Sequence, residues 1–333
     1  MNIAFLAHLN PYQTSGGGEV CLRGVLEGGR ERGHHIEIFD ARSSAAEIRR
    51  CRADLYFLAD VYNCPWSRHR ISPRIVKAII REKQYIHFDN AYVDVCDMDY
   101  LPCNGDVTGE VCPFKANPLH LARRMMRMPG AILRGGLTRE CPRTAARQLY
   151  RNSLLNVFVS PLHRRTMQKL VGECIGPYLE FFPPVDPALF NMEESVARDI
   201  QHLFVGAICE AKGLDEMRAR FPNGDLTLAG AIAPTAKLDF GRHLGMLPAE
   251  AIPGVMRRAE ALVMLPRWPE PFGRVAVEAR FSGCRLVAND RVGSLSFAGD
   301  LKEQAMIAYR HAIPDLWRSI EDARSAGPPV KFA

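Results

Sequence analysis

The stretch that decides the fold is LPRWPEPFGRVAVEARFSGCRLVAND, Leu265–Asp290. It starts at the end of one apolar run, ALVML (Ala261–Leu265), and closes on another, CRLVAND (Cys284–Asp290). Between them FGRVAVEARFSG (Phe272–Gly283) has helical spacing. Strand, loop, helix, strand is the unit from which parallel sheets are wound. Pro266, Pro269 and Pro271 stiffen the loop, and Gly273 at the helix start allows close approach of backbone to a ligand. There the free N–H groups and the helix dipole favour anionic oxygen. Glu270 stands on the loop and Glu278 about one and a half turns into the helix. Ionised carboxylates only accept hydrogen bonds, so each can take two from a vicinal diol.

The same alternation extends in both directions. NIAFLA (Asn2–Ala7), HIEIFD (His35–Asp40), DLYFLA (Asp54–Ala59), YIHF (Tyr85–Phe88), NVFVS (Asn156–Ser160) and YLEFF (Tyr178–Phe182) read as strands of a buried parallel sheet. EVCLRGVLEGGRERG, AAEIRRC and PRIVKAIIREK between them are helical in spacing. The proline-rich FFPPVDPALF (Phe181–Phe190) ends this half. A second alternation follows, with HLFVG, LTLAG, HLGML, ALVML and CRLVAND as strands and GLDEMRARF, AEAIPGVMRRAE and FGRVAVEARFSG as helices. The expected class is α/β. Two α/β/α domains, 1–182 and 183–333, face each other across a cleft, and a cysteine-rich, basic insertion occupies about 90–150. Ligands of such folds sit at the carboxyl ends of the strands. IPDLWRSIEDARSAGPP near the end reads as one more helix with a tail, and its docking site is not legible.

The chain has 333 residues, 47% hydrophobic and 24% charged, a globular composition without low-complexity tracts. No apolar run reaches the ~18 residues of a spanning helix. The opening MNIAFLAHLNPYQ reads as a first buried strand and not as an export signal, so a soluble, cytoplasmic protein is expected, with peripheral membrane contact open. Charge is unevenly placed. Lys115 to Lys169 holds twelve Lys or Arg and one acid, Glu140, a net of +11, leaving −5 for the rest of a chain whose total is +6.

The ordered motifs resemble those of the retaining GT-B glycosyltransferases of family 4. EPFGRVAVEA followed by SGCRLVAND is similar to their E-x7-E signature, and PYQTSGGGEV (Pro11–Val20) to their glycine-rich loop after the first strand. YIHFDN resembles their HD element, FVGAICEAKGLDEM their VGR-x4-KG-L, and FPPVDPALF their inter-domain NGVD-x3-F. The resemblance implies a GT-B fold, a UDP- or GDP-sugar donor and no catalytic metal. It implies that Glu270 holds hydroxyls of the donor sugar, Glu278 the ribose diol, and Lys212 the leaving diphosphate. His87 would touch the transferred sugar. Gly16, Gly17 and Gly18 would admit the phosphates or the reacting sugar, with Gly206, Phe272, Gly273 and Arg274 completing the donor site. A diphosphate leaving an anomeric carbon needs fixed positive charge where its negative charge develops. Two positions depart from the pattern. Ala207 stands where the family has arginine, with Arg274 or Arg267 as candidate substitutes, and Ser294 stands where a second glycine is common. A non-catalytic nucleotide-sugar-binding protein of the same fold is the second reading, and a nucleotide-sugar epimerase, disfavoured by the E-x7-E context, the third.

Six of the ten cysteines (Cys21, Cys51, Cys64, Cys174, Cys209, Cys284) are isolated and read as buried or inert thiols. Cys96, Cys103, Cys112 and Cys141 crowd a segment with little hydrophobic periodicity, where a tetrahedral structural zinc and reduced thiols both remain open. In NPLHLARRMMRMPGAILRGG, Leu121, Met125, Met128 and Ile132 share a helical face, with Arg123, Arg127 and Arg134 roughly opposite. That pattern suits an anionic acceptor or carrier. Contact through 117–151 with an anionic membrane is the first choice, nucleic acid the runner-up, and an ordinary core-facing helix the third.

Overall fold

The computed structural model describes residues 1–14, 16–62, 71–96, 100, 101, 103 and 143–327. Two parallel sheets form, as the alternation of apolar runs requires. The first contains β1 (Asn2–Ala7), β2 (His35–Phe39), β3 (Leu55–Ala59), β4 (Tyr85–Asp89), β5 (Leu155–Phe158) and β6 (Tyr178–Glu180), in the order β2-β1-β3-β4-β5-β6. The second contains β7 (Ile200–Val205), β8 (Leu226–Ala229), β9 (Arg242–His243), β10 (Ala259–Met264) and β11 (Arg285–Ala288), in the order β11-β10-β7-β8-β9. β3 and β4 are buried at every residue, which is why they read as continuous apolar runs rather than alternating ones.

The helices are α1 (Gly17–Glu31), α2 (Ala45–Arg50), α3 (Pro73–Glu82), α4 (Arg143–Asn152), α5 (Pro161–Val171), α6 (Leu214–Arg220), α7 (Ile252–Arg257), α8 (Arg274–Phe281) and α9 (Leu301–Ala326). In α4 and α5 the sequence shows mainly positive charge, yet both are core helices. Ala146, Leu149 and Tyr150 of α4 are buried, as are Met167, Leu170 and Val171 of α5. Arg164 of α5 is neutralised by Glu180 at 2.6 Å and lies 4.9 Å from the Tyr178 ring centroid. For 143–152, the apolar face is therefore core and not a membrane-seeking surface. The helix proposed around Leu121–Ile132 lies outside the described residues, as do Cys112 and Cys141. Cys96 and Cys103 pack in the apolar cluster of Tyr92, Val95 and Leu101. Among the described residues no group of three or more metal-capable side chains meets. No described helix is long and apolar enough to cross a membrane.

The halves are joined by more than the proline segment. One apolar cluster runs from Phe5 and Phe57 through Phe181 and Phe182 to Phe272 and Val277. Ser160, at the end of β5, donates its hydroxyl to the Pro271 carbonyl at 2.5 Å, and Leu162 N–H donates to Ser296 Oγ at 2.9 Å. α9 begins twelve residues before the helix legible in the sequence and packs against both α8 and α1. Its Trp317 is fully buried and donates its indole N–H to the Val25 carbonyl at 2.8 Å. Gly28 and Gly29 make that docking possible, since a Cβ on Gly29 would stand 2.3 Å from the Trp317 ring. Glu321 adds a two-point ion pair to Arg32, at 2.6 and 3.1 Å. Trp317→Ala should lower unfolding free energy by about 3–5 kcal/mol, the range for emptying a large aromatic site. Chemical denaturation gives the loss, and amide exchange should show α1 and α9 deprotected first.

Candidate active site

A cavity of about 400 Å³ opens between the two halves. It lies where both sheets reverse their winding, at the carboxyl ends of the central strands, the usual ligand position in such sheets. The second half contributes Val205 and Gly206 from the end of β7, and Met264 and Pro266 from the end of β10. The first half contributes Gly17, Gly18 and Cys21 of α1, and Asn90 to Val93 after β4.

Among the expected residues, Gly17, Gly18, Gly206, Lys212, Glu270, Phe272, Gly273 and Arg274 all line this cavity. Backbone geometry makes the arrangement possible. Gly273 sits at φ 78°, where an added Cβ would stand 2.8 Å from Val292 Cγ1. Gly213, beside Lys212, sits at φ 87°, and a Cβ there would stand 1.9 Å from the Leu265 carbonyl oxygen. At Gly213 a side chain would have to move backbone, and at Gly273 it would have to take a left-handed conformation and displace the Val292 side chain.

The loop Glu270–Gly273 is stitched to the next one. Glu270 N–H donates to the Arg291 carbonyl at 2.8 Å, Gly293 N–H to the Glu270 carbonyl at 3.0 Å, and Ser294 N–H to the Phe272 carbonyl at 2.6 Å. The amides at 293 and 294 are thus consumed in holding the loop. Ser294, 1% exposed, turns its hydroxyl towards the Gly273 carbonyl, so this departure from the family pattern serves the loop's own shape.

Two ion pairs set the electrostatics. Lys212 Nζ donates to Glu270 Oε2, which also accepts the Trp268 indole N–H at 2.9 Å. Arg274 Nε donates to Glu278 Oε1 at 2.8 Å, and its Nη1 to the Pro184 carbonyl at 2.9 Å. Burial raises the Glu278 carboxyl above the ordinary glutamate range, and the Arg274 charge and hydrogen bond pull it partly back. Glu278 stands behind Arg274 and is not part of the cavity wall, which corrects the expectation of a glutamate open to the cleft. Arg274 Nη2 makes no hydrogen bond among the described residues, and the side chain reaches α1, where a Cβ on Gly17 would stand 3.8 Å from Arg274 Cδ. Ala207 lines the same cavity as Arg274. Arg267 turns instead to Glu216 at 3.2 Å and Asp215 at 3.7 Å, on the surface of α6.

His87 is placed elsewhere. It is fully buried, with Nδ1 3.3 Å from Asn156 Oδ1 and Nε2 3.1 Å from Asp94 Oδ2, and it does not reach the cavity. The reason is strand length. β4 runs on to Asp89, so the first residue over the cleft is Asn90. Gly16 is likewise absent from the wall: it precedes α1, and a Cβ there would meet Glu19. Sequence reasoning also missed the aromatic side of the cavity, Tyr92, Tyr100 and Trp268. Trp268 lies within PRWPEPFG, where an aromatic inside a proline-rich loop beside a ligand carboxylate was the available signal.

Beneath Tyr92 lies a buried polar layer. His163 is fully buried, its Nε2 3.1 Å from the Ala91 carbonyl and its ring edge-on to Tyr92, 4.9 Å between centroids. Burial pulls its pKa from 6.5 down to about 3, so the ring is neutral and donates from Nε2. Asp89, accepting the Tyr150 hydroxyl at 2.7 Å, is raised by burial and stays protonated longer than an ordinary aspartate. His163 Nε2 also approaches Asp89 Oδ1 at 3.5 Å.

No protein-family model matches the chain, and no curated protein matches its sequence. Solved structures do match in fold. HepE of Anabaena in complex with UDP and glucose superposes with a TM-score of 0.53 at 16% identity, over 97% of this chain and 92% of that one. AviGT4, a glycosyltransferase involved in avilamycin A biosynthesis, gives 0.53 at 16% over 98% of each chain. An α-glucosyltransferase in complex with UDP and a 13-mer DNA containing an HMU base gives 0.52 at 10%, over 97% and 94%. The fold is GT-B, two Rossmann-like domains, as the sequence pattern implied.

A depressed folded pKa confers stability above the unfolded value that is lost as pH falls towards the folded one. For His163 that window runs from about 6.5 down to about 3. By pH 5 the loss should be about 2 kcal/mol relative to neutral pH. His163→Gln keeps an N–H donor and cannot titrate, so its loss of stability between pH 7.5 and 5 should be smaller than wild type by that amount in urea melts.

Proposed function

We propose that the chain is a nucleotide-sugar-dependent glycosyltransferase acting with retention at the anomeric carbon. The observation that carries this reading is the convergence of Gly17, Gly18, Gly206, Lys212, Glu270, Gly273 and Arg274 on one cavity at the switch points of both sheets. Retention rests on the resemblance of EPFGRVAVEA to the signature of family 4. A departing nucleoside diphosphate gains negative charge, and Lys212, Arg274 and the first turn of α8 are the groups fixed to meet it. An ammonium has three donors, so Lys212 can keep Glu270 and still reach a phosphate oxygen. Glu270 reads the sugar. Glu278 is assigned to the ribose, which it meets once the donor's phosphates draw Arg274 aside.

The donor is a UDP- or GDP-sugar, and the fold's occurrence with bound UDP in HepE favours uridine. The acceptor is anionic or carried on an anionic surface, matched to the positive charge between Lys115 and Lys169 and to a contact, at a cytoplasmic membrane face, through the part of 117–151 that precedes α4. Nucleic acid is the second acceptor reading, favoured by the same charge and by the use of this fold in a glucosyltransferase crystallised with DNA.

A panel of nucleotide sugars tests the donor assignment directly, because a ligand that binds only the folded state raises Tm. Failure of every UDP- and GDP-sugar to shift Tm at millimolar concentration would remove the reading. With the donor so found, Lys212→Ala should lower kcat by ~10²–10³, by analogy with loss of an oxyanion donor. Glu278→Ala should chiefly raise the donor Kd, since a ribose contact is the same in ground and transition states. Acceptor class is separated by co-sedimentation with acidic vesicles against filter binding of duplex DNA at ~0.1 M salt, where the Debye length is about 10 Å.

A further inference from the structure

Glu270 presents only half of its carboxylate to the cavity. Oε2 accepts from both Lys212 Nζ and Trp268 Nε1. A carboxylate oxygen offers two lone-pair sites, so Oε2 is filled. Oε1 takes no hydrogen bond from the described residues. The sequence-level picture of a carboxylate chelating a diol through both oxygens therefore fails for this side chain.

Trp268 is itself held rigidly. Its ring meets the edges of Tyr92 and Tyr100, with centroids 5.7 and 4.9 Å apart and planes at 75° and 78°. Lys212 Nζ lies 5.2 Å from its ring centroid and 5.7 Å from that of Tyr100. Both tyrosines belong to the first half of the chain, so the indole is clamped between the halves. All five side chains line the one cavity.

We propose that Trp268 is a specificity-determining residue of the donor site. Its indole N–H fixes Oε2, so Glu270 reads the transferred sugar through Oε1 alone and discriminates between sugars that differ in the orientation of one hydroxyl. This inference rests on the functional reading above. A carboxylate free to turn satisfies either epimer by rotating, whereas one with a filled oxygen and a fixed plane leaves the wrong epimer's hydroxyl without an acceptor. Sites built to hydrogen-bond a hydroxyl reject analogues far better than apolar pockets do, because the mismatch strands buried polar groups. Lys212 cannot impose this plane by itself, since an ammonium on a flexible stem binds as a point charge. The indole supplies the direction.

The test is calorimetric titration of the full chain with two epimer pairs, UDP-glucose with UDP-galactose and GDP-glucose with GDP-mannose, and with UDP and GDP alone. Wild type should prefer one member of the bound pair by about ten-fold or more. Trp268→Phe keeps a ring between the tyrosines and removes the N–H, and should shrink that ratio about five-fold while nucleoside diphosphate affinity stays within about two-fold. Trp268→Leu, which also lacks the N–H, replaces it if the phenylalanine variant does not fold, with unchanged diphosphate affinity as the check on folding. An unchanged epimer ratio in the variant, or no preference in wild type, overturns the role of Trp268 and leaves the glycosyltransferase reading intact. Absence of binding by every nucleotide sugar in wild type overturns both.

Discussion

The pairing of Lys212 with Glu270, and of Arg274 with Glu278, balances the cavity's charges before a ligand arrives. Each pair is largely withdrawn from water, where an unpartnered charge costs several kcal/mol. A free diphosphate would win the cations and strand the carboxylates. A free sugar would satisfy Glu270 and give the cations nothing. A molecule with phosphates at one end and hydroxyls at the other satisfies both sets together, and a nucleotide sugar has that composition. On the proposed function, that balance favours the whole donor over its parts.

That balance depends on the loop that carries Glu270. It is held by its own backbone bonds to residues 291–294, by Gly273 in the left-handed region, and by Ser160 from the opposite half. The contact from Ser160 means that the loop's position and the approach of the two halves are one constraint. α9 supplies the counterpart on the far side, with Trp317 seated over Gly28 and Gly29.

Most of the fold was legible because strands buried on both faces read as short apolar runs bounded by turn residues. The expected strands form over most of their length except HLGML, where only Arg242–His243 pairs with β8. The helices that went unread failed for separate reasons. The half of α9 before Pro314 was lost because proline in a sequence marks an end, while here it lies inside the helix. α4 and α5 were lost because their arginines drew attention from the buried Leu149, Tyr150, Met167 and Leu170. In the site, the glycine positions and Lys212 were recoverable because close approach and fixed charge demand particular residue types. His87, given its role by the resemblance of YIHFDN, lies in the middle of β4, two residues before the strand's end. The aromatic wall was invisible because Tyr92, Tyr100 and Trp268 are brought together only by the closure of the two halves.

The polar layer under Tyr92 belongs to the first half alone. His87, Asp94, Asn156, Ser153 and His163 are buried around β4 and β5: His87 and Asn156 pair across the two strands, Ser153 precedes β5, Asp94 follows β4 and His163 lies in α5. Ser153 Oγ accepts from His87 N–H at 3.0 Å and donates to the Leu155 carbonyl at 2.7 Å, and Asn156 Nδ2 donates to the Tyr150 carbonyl at 2.8 Å. Of this layer His163 reaches the cavity segment, its Nε2 donating to the Ala91 carbonyl at 3.1 Å. His87, in the middle of β4, is occupied by its own buried partners Asn156 and Asp94. It is His163 that packs edge-on to Tyr92, and Tyr92 in turn meets the Trp268 ring edge-on at 5.7 Å.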